Sequence, residues 1–192
     1  MHTDELLIVC AGRLKQRKGM LELVHAFGRI AQQRSRVRLL IAGSVNSASR
    51  QYADQLRSEA EILGVSGKVI FDETVTYTAM SALMAAADIV AQPSLAEGLG
   101  LSVIEAMASG KAVVTTDIPG IREITIEEDV ASIVPAGDDK ALAEALISLI
   151  DSKDLRNRLG QRARLHVEDK FSRSRMIEQT EAALLELLQK DM

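Results

Sequence analysis

Residues 93–110 read PSLAEGLGLSVIEAMASG, and the organisation of the rest of the chain can be worked out from this stretch. Two carboxylates, Glu97 and Glu105, stand eight residues apart, with Gly98 and Gly100 between them. The apolar spacing after Gly100 predicts a helix, whose free N–H groups and positive dipole end would face an anion. Glycine lets a backbone approach a ligand closely. The stretch predicts a site for a ligand with a charged middle and hydroxyl-bearing ends, although it also fits a helix N-terminus with an ordinary solvent-facing glutamate.

Composition places the chain among packed, aliphatic globular proteins. Of its 192 residues, 47% are hydrophobic, only 3% are aromatic, and none is Trp. This length supports one domain with a sizeable core, and we expect residues 1–192 to form a single domain. The net charge of −4 excludes a general attraction to nucleic acid or to an anionic membrane surface.

Three features bear on location. Cys10 is the single cysteine, which excludes an internal disulfide and is typical of a reducing compartment. No apolar run approaches the ~20 residues of a membrane span, and no basic segment begins a signal peptide. We therefore expect a cytoplasmic protein. Because the first apolar run begins at Leu6, we expect either a complete small protein or one domain of a longer one.

Short apolar runs alternate with helical periodicity along the chain. Strands are predicted at 6–10, 37–42, 68–71, 88–92, 111–115 and 131–134. Helices are predicted at 20–31, 49–63, 77–86, from about 100, and at 138–151, 153–166 and 172–189. This alternation predicts a doubly wound, Rossmann-like α/β fold with three layers, α/β/α, and a six-stranded parallel sheet in the order 3-2-1-4-5-6.

The predicted strand order brings two loops together. Strands 1 and 4 are neighbours where the winding reverses, and ligands bind there, beyond the carboxyl ends of the strands. The loop after strand 1 is GRLKQRKG, residues 12–19, and the loop after strand 4 is PSLAEGLG, residues 93–100. We expect both loops to face one crevice.

The basic residues of the first loop have two interpretations. Arg13 offers a bidentate fork and Lys18 a point charge, the usual pair for a diphosphate. Taken alone, they fit a solvated basic loop equally well, and Glu97 on the facing loop favours the diphosphate. Lys15 and Arg17 have no such support, and we expect both to be solvated.

Signatures of other classes are missing. GLGLSV is not GxGxxG and follows the fourth predicted strand, which disfavours a nicotinamide dehydrogenase, and there is no P-loop, GxSxG elbow or Asp-x-Asp pair. His2, His25 and His166 have no metal-ligand spacing and are expected in structural or surface roles. Cys10 is expected to be a small buried hydrophobe.

At these residues the chain resembles the C-terminal, donor-binding domain of the GT-B-fold retaining glycosyltransferases of family 4, the glycosyl transferases group 1. GRL-x-x-x-KG at 12–19 resembles the phosphate loop of that family. PS-x-x-EG-x-GL-x-x-x-EAMA at 93–108 resembles its E-x7-E motif, and GKAVVTTDIPGIREI resembles the strand and loop that follow. The match runs from about residue 6 to the end of the chain.

The resemblance implies roles for individual residues. Arg13 and Lys18 would hold the diphosphate of a nucleotide sugar and, with Glu97, form the catalytic set. Glu97 would accept hydrogen bonds from sugar hydroxyls, and Glu105 from the ribose. The other implied donor-binding positions are Gly12, Val75, Gly98, Gly100 and Leu101.

The resemblance also implies a retaining transfer of a hexose-type sugar, from a UDP-, GDP- or ADP-linked donor, without a metal or other cofactor. Arg13, Lys18 and the helix N-terminus would stabilise the charge on the leaving diphosphate. Glu97 is the single candidate for a covalent nucleophile, and sugar binding is the role we favour for it.

The sequence departs from the family pattern in loops and in length. Glu73 stands where glycine is common near the base, and Pro119 and Gly120 replace a Gly-Gly pair. Members of the family are about twice as long and carry an N-terminal acceptor domain. We therefore expect the chain to be inactive alone, to need that domain in cis or in trans, and to self-associate through the apolar side of the 172–189 helix. The full-length enzyme could lie at a membrane surface.

Two other interpretations stay open. The chain could be half of a GT-B sugar-nucleotide epimerase or phosphorylase, or it could be a non-catalytic nucleotide-binding or scaffolding module. A contribution of the sugar to donor affinity separates the enzymes from the scaffold.

Overall fold

A parallel sheet of six strands forms the centre of the computed structural model, which describes residues 5–126 and 129–190. The strands are β1 (Leu6–Ala11), β2 (Val37–Ala42), β3 (Val69–Asp72), β4 (Ile89–Gln92), β5 (Ala112–Thr116) and β6 (Ser132–Val134). Their order is β3-β2-β1-β4-β5-β6, which confirms the predicted doubly wound α/β fold.

Helices connect the strands. They are α1 (Met20–Gln33), α2 (Arg50–Ile62), α3 (Tyr77–Ala86), α4 (Leu101–Ala108), α5 (Pro119–Arg122), α6 (Asp139–Asp151), α7 (Lys153–Lys170) and α8 (Arg173–Lys190). The predicted helices are confirmed, and α7 continues four residues beyond its predicted end at 166. The sequence analysis did not predict α5, because four residues are too few to carry a periodic pattern.

Side chains of β1 alternate between two apolar layers, as the two-residue period of a strand requires. Ile8 and Cys10 pack in the layer covered by α1, α2 and α6. Leu7, Val9 and Ala11 pack in the layer covered by α3, α4 and α7. Because both faces are covered, the strand reads as a continuous apolar run.

The sole cysteine is buried in the core, as predicted. Burial raises the pKa of the Cys10 thiol to about 12, although the positive charge of Lys18 opposes the shift. His25 lies on α1 with Nε2 3.1 Å from a carboxylate oxygen of Glu59. His166 is buried on α7, with Nε2 2.7 Å from the carbonyl oxygen of Ile124. His2 lies outside the described residues.

The last helix, α8, presents large apolar side chains to solvent. Ser172 precedes it and caps its first turn, where its Oγ accepts a 3.4 Å hydrogen bond from the amide of Arg175. Met176, Ile177, Leu184 and Leu188 on this helix are all more than half exposed. Within residues 5–126 and 129–190, no helix combines the length and the apolar character needed to cross a membrane.

Candidate functional site

A crevice lies where the strand order reverses, as the sequence predicted. β1 and β4 pair in parallel, with Ile8 opposite Ile89 and Val9 opposite Val90, so the loops that follow them share one edge of the sheet. A cavity of about 570 Å³ lies between these loops. Small-molecule sites usually have volumes of roughly 300–1,000 Å³. The crevice is therefore large enough to bind a small molecule.

Most of the predicted site residues line this crevice. They are Gly12, Arg13, Lys18, Val75, Glu97, Gly100, Leu101 and Glu105. Gly98 lies outside the lining, and a Cβ placed on it would meet nothing within 4 Å. Gly120, in contrast, must be glycine, because a Cβ placed on it would lie 2.4 Å from the carbonyl oxygen of Gly98. The donor-binding role of Gly98 stays a prediction.

The sequence analysis did not single out several other lining residues as site residues. They are Ala11, Arg17, Gly43, Ser44, Met80, Leu99 and Ser102. Most of them are apolar or small, and nothing in their local sequence distinguishes them from core or loop residues. Topology is the signal that could have found them, since each ends or follows a strand or lies in the first turn of a helix at the same edge of the sheet.

The backbones of the two loops are joined by hydrogen bonds. The carbonyl oxygen of Arg17 accepts from the amides of Leu95 at 2.8 Å and Ala96 at 3.3 Å. Gly19 lies against the second loop at φ +65°, and a Cβ there would be 1.8 Å from the Pro93 carbonyl oxygen. Glycine is required at this position by both its conformation and the close contact. The spacing of the loops is therefore set by backbone contacts.

Glu97 lies at the centre of a polar cluster. Its Oε1 accepts hydrogen bonds from Lys18 Nζ and, at 2.9 Å, from Ser94 Oγ, while Arg17 Nη1 donates to Oε2 at 2.9 Å. Burial raises the pKa of Glu97, but the hydrogen bonds from Lys18, Arg17 and Ser94 together outweigh it. The pKa of Glu97 therefore lies below its ordinary value, and the group is a carboxylate at neutral pH.

Arg17 contradicts the sequence analysis, which expected it to be solvated. Its guanidinium donates both to Glu97 and, at 3.0 Å, to the carbonyl oxygen of Ala96. A short 3₁₀ turn over Gln16–Lys18 places Arg17 and the neighbouring Lys18 against the second loop. The pairing was not visible in the sequence because Arg17 and Glu97 are 80 residues apart.

The other basic residues of the loop are exposed. Arg13 lines the crevice, and in the described part of the chain its guanidinium has no hydrogen-bond or ion-pair partner. Lys15 is exposed and lies outside the crevice lining, in agreement with its predicted solvation. Arg13 thus faces the crevice, whereas the nearby Lys15 does not.

The N-terminus of α4 opens into the crevice. Gly100 precedes the helix at φ +65°, and no side chain in the described ranges caps this end. The first N–H groups of a helix have no partners within it and carry partial positive charge. Leu101, the first helical residue, is 63% exposed. This terminus can therefore bind an anion beside Arg13 and Lys18.

Glu105 lies further along α4 and also faces the crevice. Its burial raises its pKa, although the positive charge of Lys18 acts in the opposite direction. The carboxylate is half-buried and offers two acceptor oxygens. It can accept hydrogen bonds from a diol.

The loop after β3 has Val75 in the lining and Glu73 outside it. Glu73 forms ion pairs with Arg57 and, at 3.0 Å, with Arg50, both on α2. Glu73 is the residue that departs from the family pattern, and these ion pairs hold its carboxylate towards α2. In residues 5–126 and 129–190, no group of three or more His, Cys, Asp or Glu side chains is placed to hold a metal ion.

Doubly wound α/β domains with this sheet order bind their ligands in a crevice at the reversal, and the fold and the crevice place the chain in that class. Comparison with known proteins narrows the class further. The family model described as glycosyl transferases group 1 matches residues 2–166, and the chain belongs to this family. This result confirms the resemblance identified from residues 12–19 and 93–108.

Several known proteins resemble the chain. Phosphatidyl-myo-inositol mannosyltransferase of Mycobacterium leprae is 36% identical over 143 residues, covering 74% of this chain and 36% of that protein. The lipopolysaccharide core biosynthesis mannosyltransferase LpcC of Rhizobium leguminosarum bv. viciae is 29% identical over 174 residues, covering 88% and 47%. The chain spans less than half the length of the curated relatives it matches.

A solved structure has the same fold. HepE of Anabaena, in complex with UDP and glucose, matches with a TM-score of 0.88 at 23% sequence identity. The match covers 95% of this chain and 49% of HepE. At this identity the likeness shows the fold alone.

Proposed function

We propose that this chain is the donor-binding half of a retaining, metal-independent glycosyltransferase, which takes a hexose from a nucleoside diphosphate sugar. The observation that carries the proposal is the convergence of Arg13, Lys18 and the α4 N-terminus on the crevice that also holds Glu97 and Glu105. Cations and a helix terminus suit a diphosphate, and carboxylates suit the hydroxyls on either side of it.

The diphosphate would lie between Arg13, Lys18 and the amides near Gly100 and Leu101. Breaking the glycosidic bond leaves negative charge on the diphosphate, and preorganised donors at that position lower the barrier. These residues supply positive charge from the protein itself, which supports transfer without a metal. Gly12, which lines the crevice near Lys18, leaves room for the ligand on this side.

The sugar and the ribose would bind on opposite sides of the diphosphate. Glu97 would accept from sugar hydroxyls, Glu105 from the ribose, and Val75 would contact the base. Glu97 Oε1 accepts from Lys18 and Ser94 and Oε2 accepts from Arg17, which leaves one lone pair, on Oε2, for a hydroxyl and weakens the carboxylate as a nucleophile. We therefore favour sugar binding by Glu97 over a covalent intermediate, and an oxocarbenium-like transition state.

The relatives support a hexose as the transferred group. Two of them are named as mannosyltransferases, and the HepE structure holds UDP and glucose. The base stays open among uracil, guanine and adenine. Because the chain spans less than half of its relatives, we propose that an N-terminal acceptor domain completes the cleft, in cis or in trans, and that the chain alone is inactive. We also propose a cytoplasmic location, supported by the single buried cysteine.

Titration of the chain with UDP, GDP and ADP, and then with their glucose or mannose conjugates, tests the proposal. We expect one nucleotide class to bind, with a gain in affinity from the sugar. Arg13→Ala should weaken nucleotide binding about 10- to 100-fold, because a hydrogen bond to a charged group contributes about 1.5–3 kcal/mol. Glu97→Ala should remove the gain from the sugar without weakening the binding of the nucleotide alone. Calorimetry measures both effects.

Lys15→Ala is the matched control for this titration. It removes the same charge from the same loop but lies outside the crevice, so it should leave nucleotide affinity unchanged. Failure of all three nucleotides to bind would contradict the proposal. Nucleotide binding without any gain from the sugar would favour the scaffolding module instead.

We propose further that the apolar side of α8 pairs two copies of the isolated chain. Met176, Ile177, Leu184 and Leu188 recur at helical spacing and are 51–64% exposed. Light scattering should show a concentration-dependent dimer. Leu184→Glu combined with Leu188→Glu should give a monomer that melts at the same temperature as the unaltered chain at concentrations where that chain is also monomeric, because neither side chain packs in the core. A monomer at high concentration of the unaltered chain would contradict self-association.

A further inference from the structure

The pairing of one carboxylate with two cations leaves a surplus charge in the crevice. Glu97 carries one negative charge, and both Arg17 and Lys18 contact it. The three groups together carry one net positive charge. An anion can draw one cation away from Glu97 without leaving the carboxylate unpaired only if the other cation stays.

The two cations differ in what they can reach. Lys18 has an 11% exposed side chain that lines the crevice, with its Cε 3.7 Å from the position of a Cβ on Gly12. Its ammonium therefore lies between Glu97 and the first loop. Arg17 is held by the second loop, because the same Nη1 donates to Glu97 and to the Ala96 carbonyl oxygen. Its attachment to the loop suits it to remain in place.

Burial of Glu97 makes the identity of its remaining partner important. The Glu97 side chain is only 8% exposed. A buried carboxylate that loses its last cation bears an uncompensated desolvation penalty. If Lys18 were the sole partner, a ligand would have to break that pair, and the penalty would be subtracted from its binding free energy.

We propose that Arg17 is a positioning residue that neutralises Glu97 and thereby frees Lys18 to bind the diphosphate of the donor. This inference rests on the function proposed above. Lys18 Nζ moves from Glu97 towards the diphosphate while Arg17 keeps the carboxylate paired. Glu97 then keeps its orientation and its charge for the sugar hydroxyls.

A double-mutant cycle tests this role. Arg17→Gln keeps a hydrogen-bond donor but removes the charge, so Lys18 stays on Glu97. We expect it to weaken binding of the nucleoside diphosphate, whichever of UDP, GDP and ADP binds the unaltered chain, by about tenfold. In a Glu97→Gln background no carboxylate holds Lys18, and Arg17→Gln should change the same dissociation constant less than about twofold. If Arg17 supported binding only through the fold, Arg17→Gln would weaken binding equally in both backgrounds.

Two further variants complete the design. Lys15→Gln removes the same charge from the same loop outside the crevice and should leave binding unchanged. Arg17→Lys restores the charge and should recover most of the affinity, which shows that the positive charge at this position is what supports binding. Thermal melts accompany each titration.

The outcomes separate this inference from the proposed function. Equal weakening by Arg17→Gln in both backgrounds would mean that Arg17 contacts the donor directly or acts only through the fold, and it would overturn the positioning role. An effect no larger than that of Lys15→Gln would overturn it as well, while nucleotide binding by the unaltered chain would leave the proposed function standing. Absence of nucleotide binding by the unaltered chain would overturn both.

Discussion

Lys18→Ala is expected to weaken nucleoside diphosphate binding about 100-fold, the largest effect of any single charge in the crevice. Lys18 has the most buried side chain among the crevice cations, and a buried charge interacts more strongly with an anion than an exposed one. In an enzyme completed by its N-terminal half, the same change should lower kcat by about 10²–10³-fold, because the lost charge faces the leaving diphosphate.

Calorimetric titration measures the first effect, and Lys15→Ala provides the matched control. Lys15 precedes the same 3₁₀ turn and is exposed, so its loss alters the overall charge equally without changing the crevice. A Lys18→Ala chain that melts normally and binds within twofold of the unaltered chain would show that the diphosphate does not lie against Lys18.

Gly19→Ala is expected to reduce the free energy of unfolding by about 2–5 kcal/mol. A left-handed conformation costs a non-glycine residue about 1–2 kcal/mol, and overpacking adds about 1–3 kcal/mol. The overpacking arises because the new Cβ would lie 1.8 Å from the Pro93 carbonyl oxygen, which belongs to the backbone of the facing loop. The loops would have to separate, so nucleotide binding should also weaken.

Gly64→Ala separates the two contributions to that loss. Gly64 has φ +68°, close to the +65° of Gly19, but a Cβ there meets nothing within 4 Å. We expect it to lose only the conformational part, about 1–2 kcal/mol. Urea denaturation measures both variants. Equal losses in Gly19→Ala and Gly64→Ala would show that the loops move apart without cost and that their spacing is not set by this contact.

The strands could be predicted because parallel strands buried on both faces form continuous apolar runs. Their order followed from the alternation with helices, since right-handed crossovers leave few topologies to consider. The order then placed residues 12–19 opposite residues 93–100, which is why most of the predicted site residues line one crevice.

The predictions that failed concern contacts between distant residues. Arg17 was interpreted as solvated, because nothing within the first loop distinguishes it from Lys15. The α5 helix and the close approach of Gly120 to the backbone of residues 97 and 98 were not predicted either. The α5 helix is too short to carry a periodic pattern, and the approach of Gly120 depends on where a second loop lies, which local periodicity does not describe.

Hydrophobic periodicity and chain connectivity are local properties, so the amino-acid sequence was enough to predict the sheet, its order and the two loops that meet at the reversal. The packing of the two loops decides that Arg17 and Lys18 pair with Glu97 and that Arg13 faces the crevice with no partner among residues 5–126 and 129–190. Arg13, Arg17 and Lys18 carry the same charge within six positions, and the sequence does not rank them. Their directions follow from the 3₁₀ turn and from the backbone contacts of Arg17 and Gly19 with the second loop, which form only when the two loops pack together.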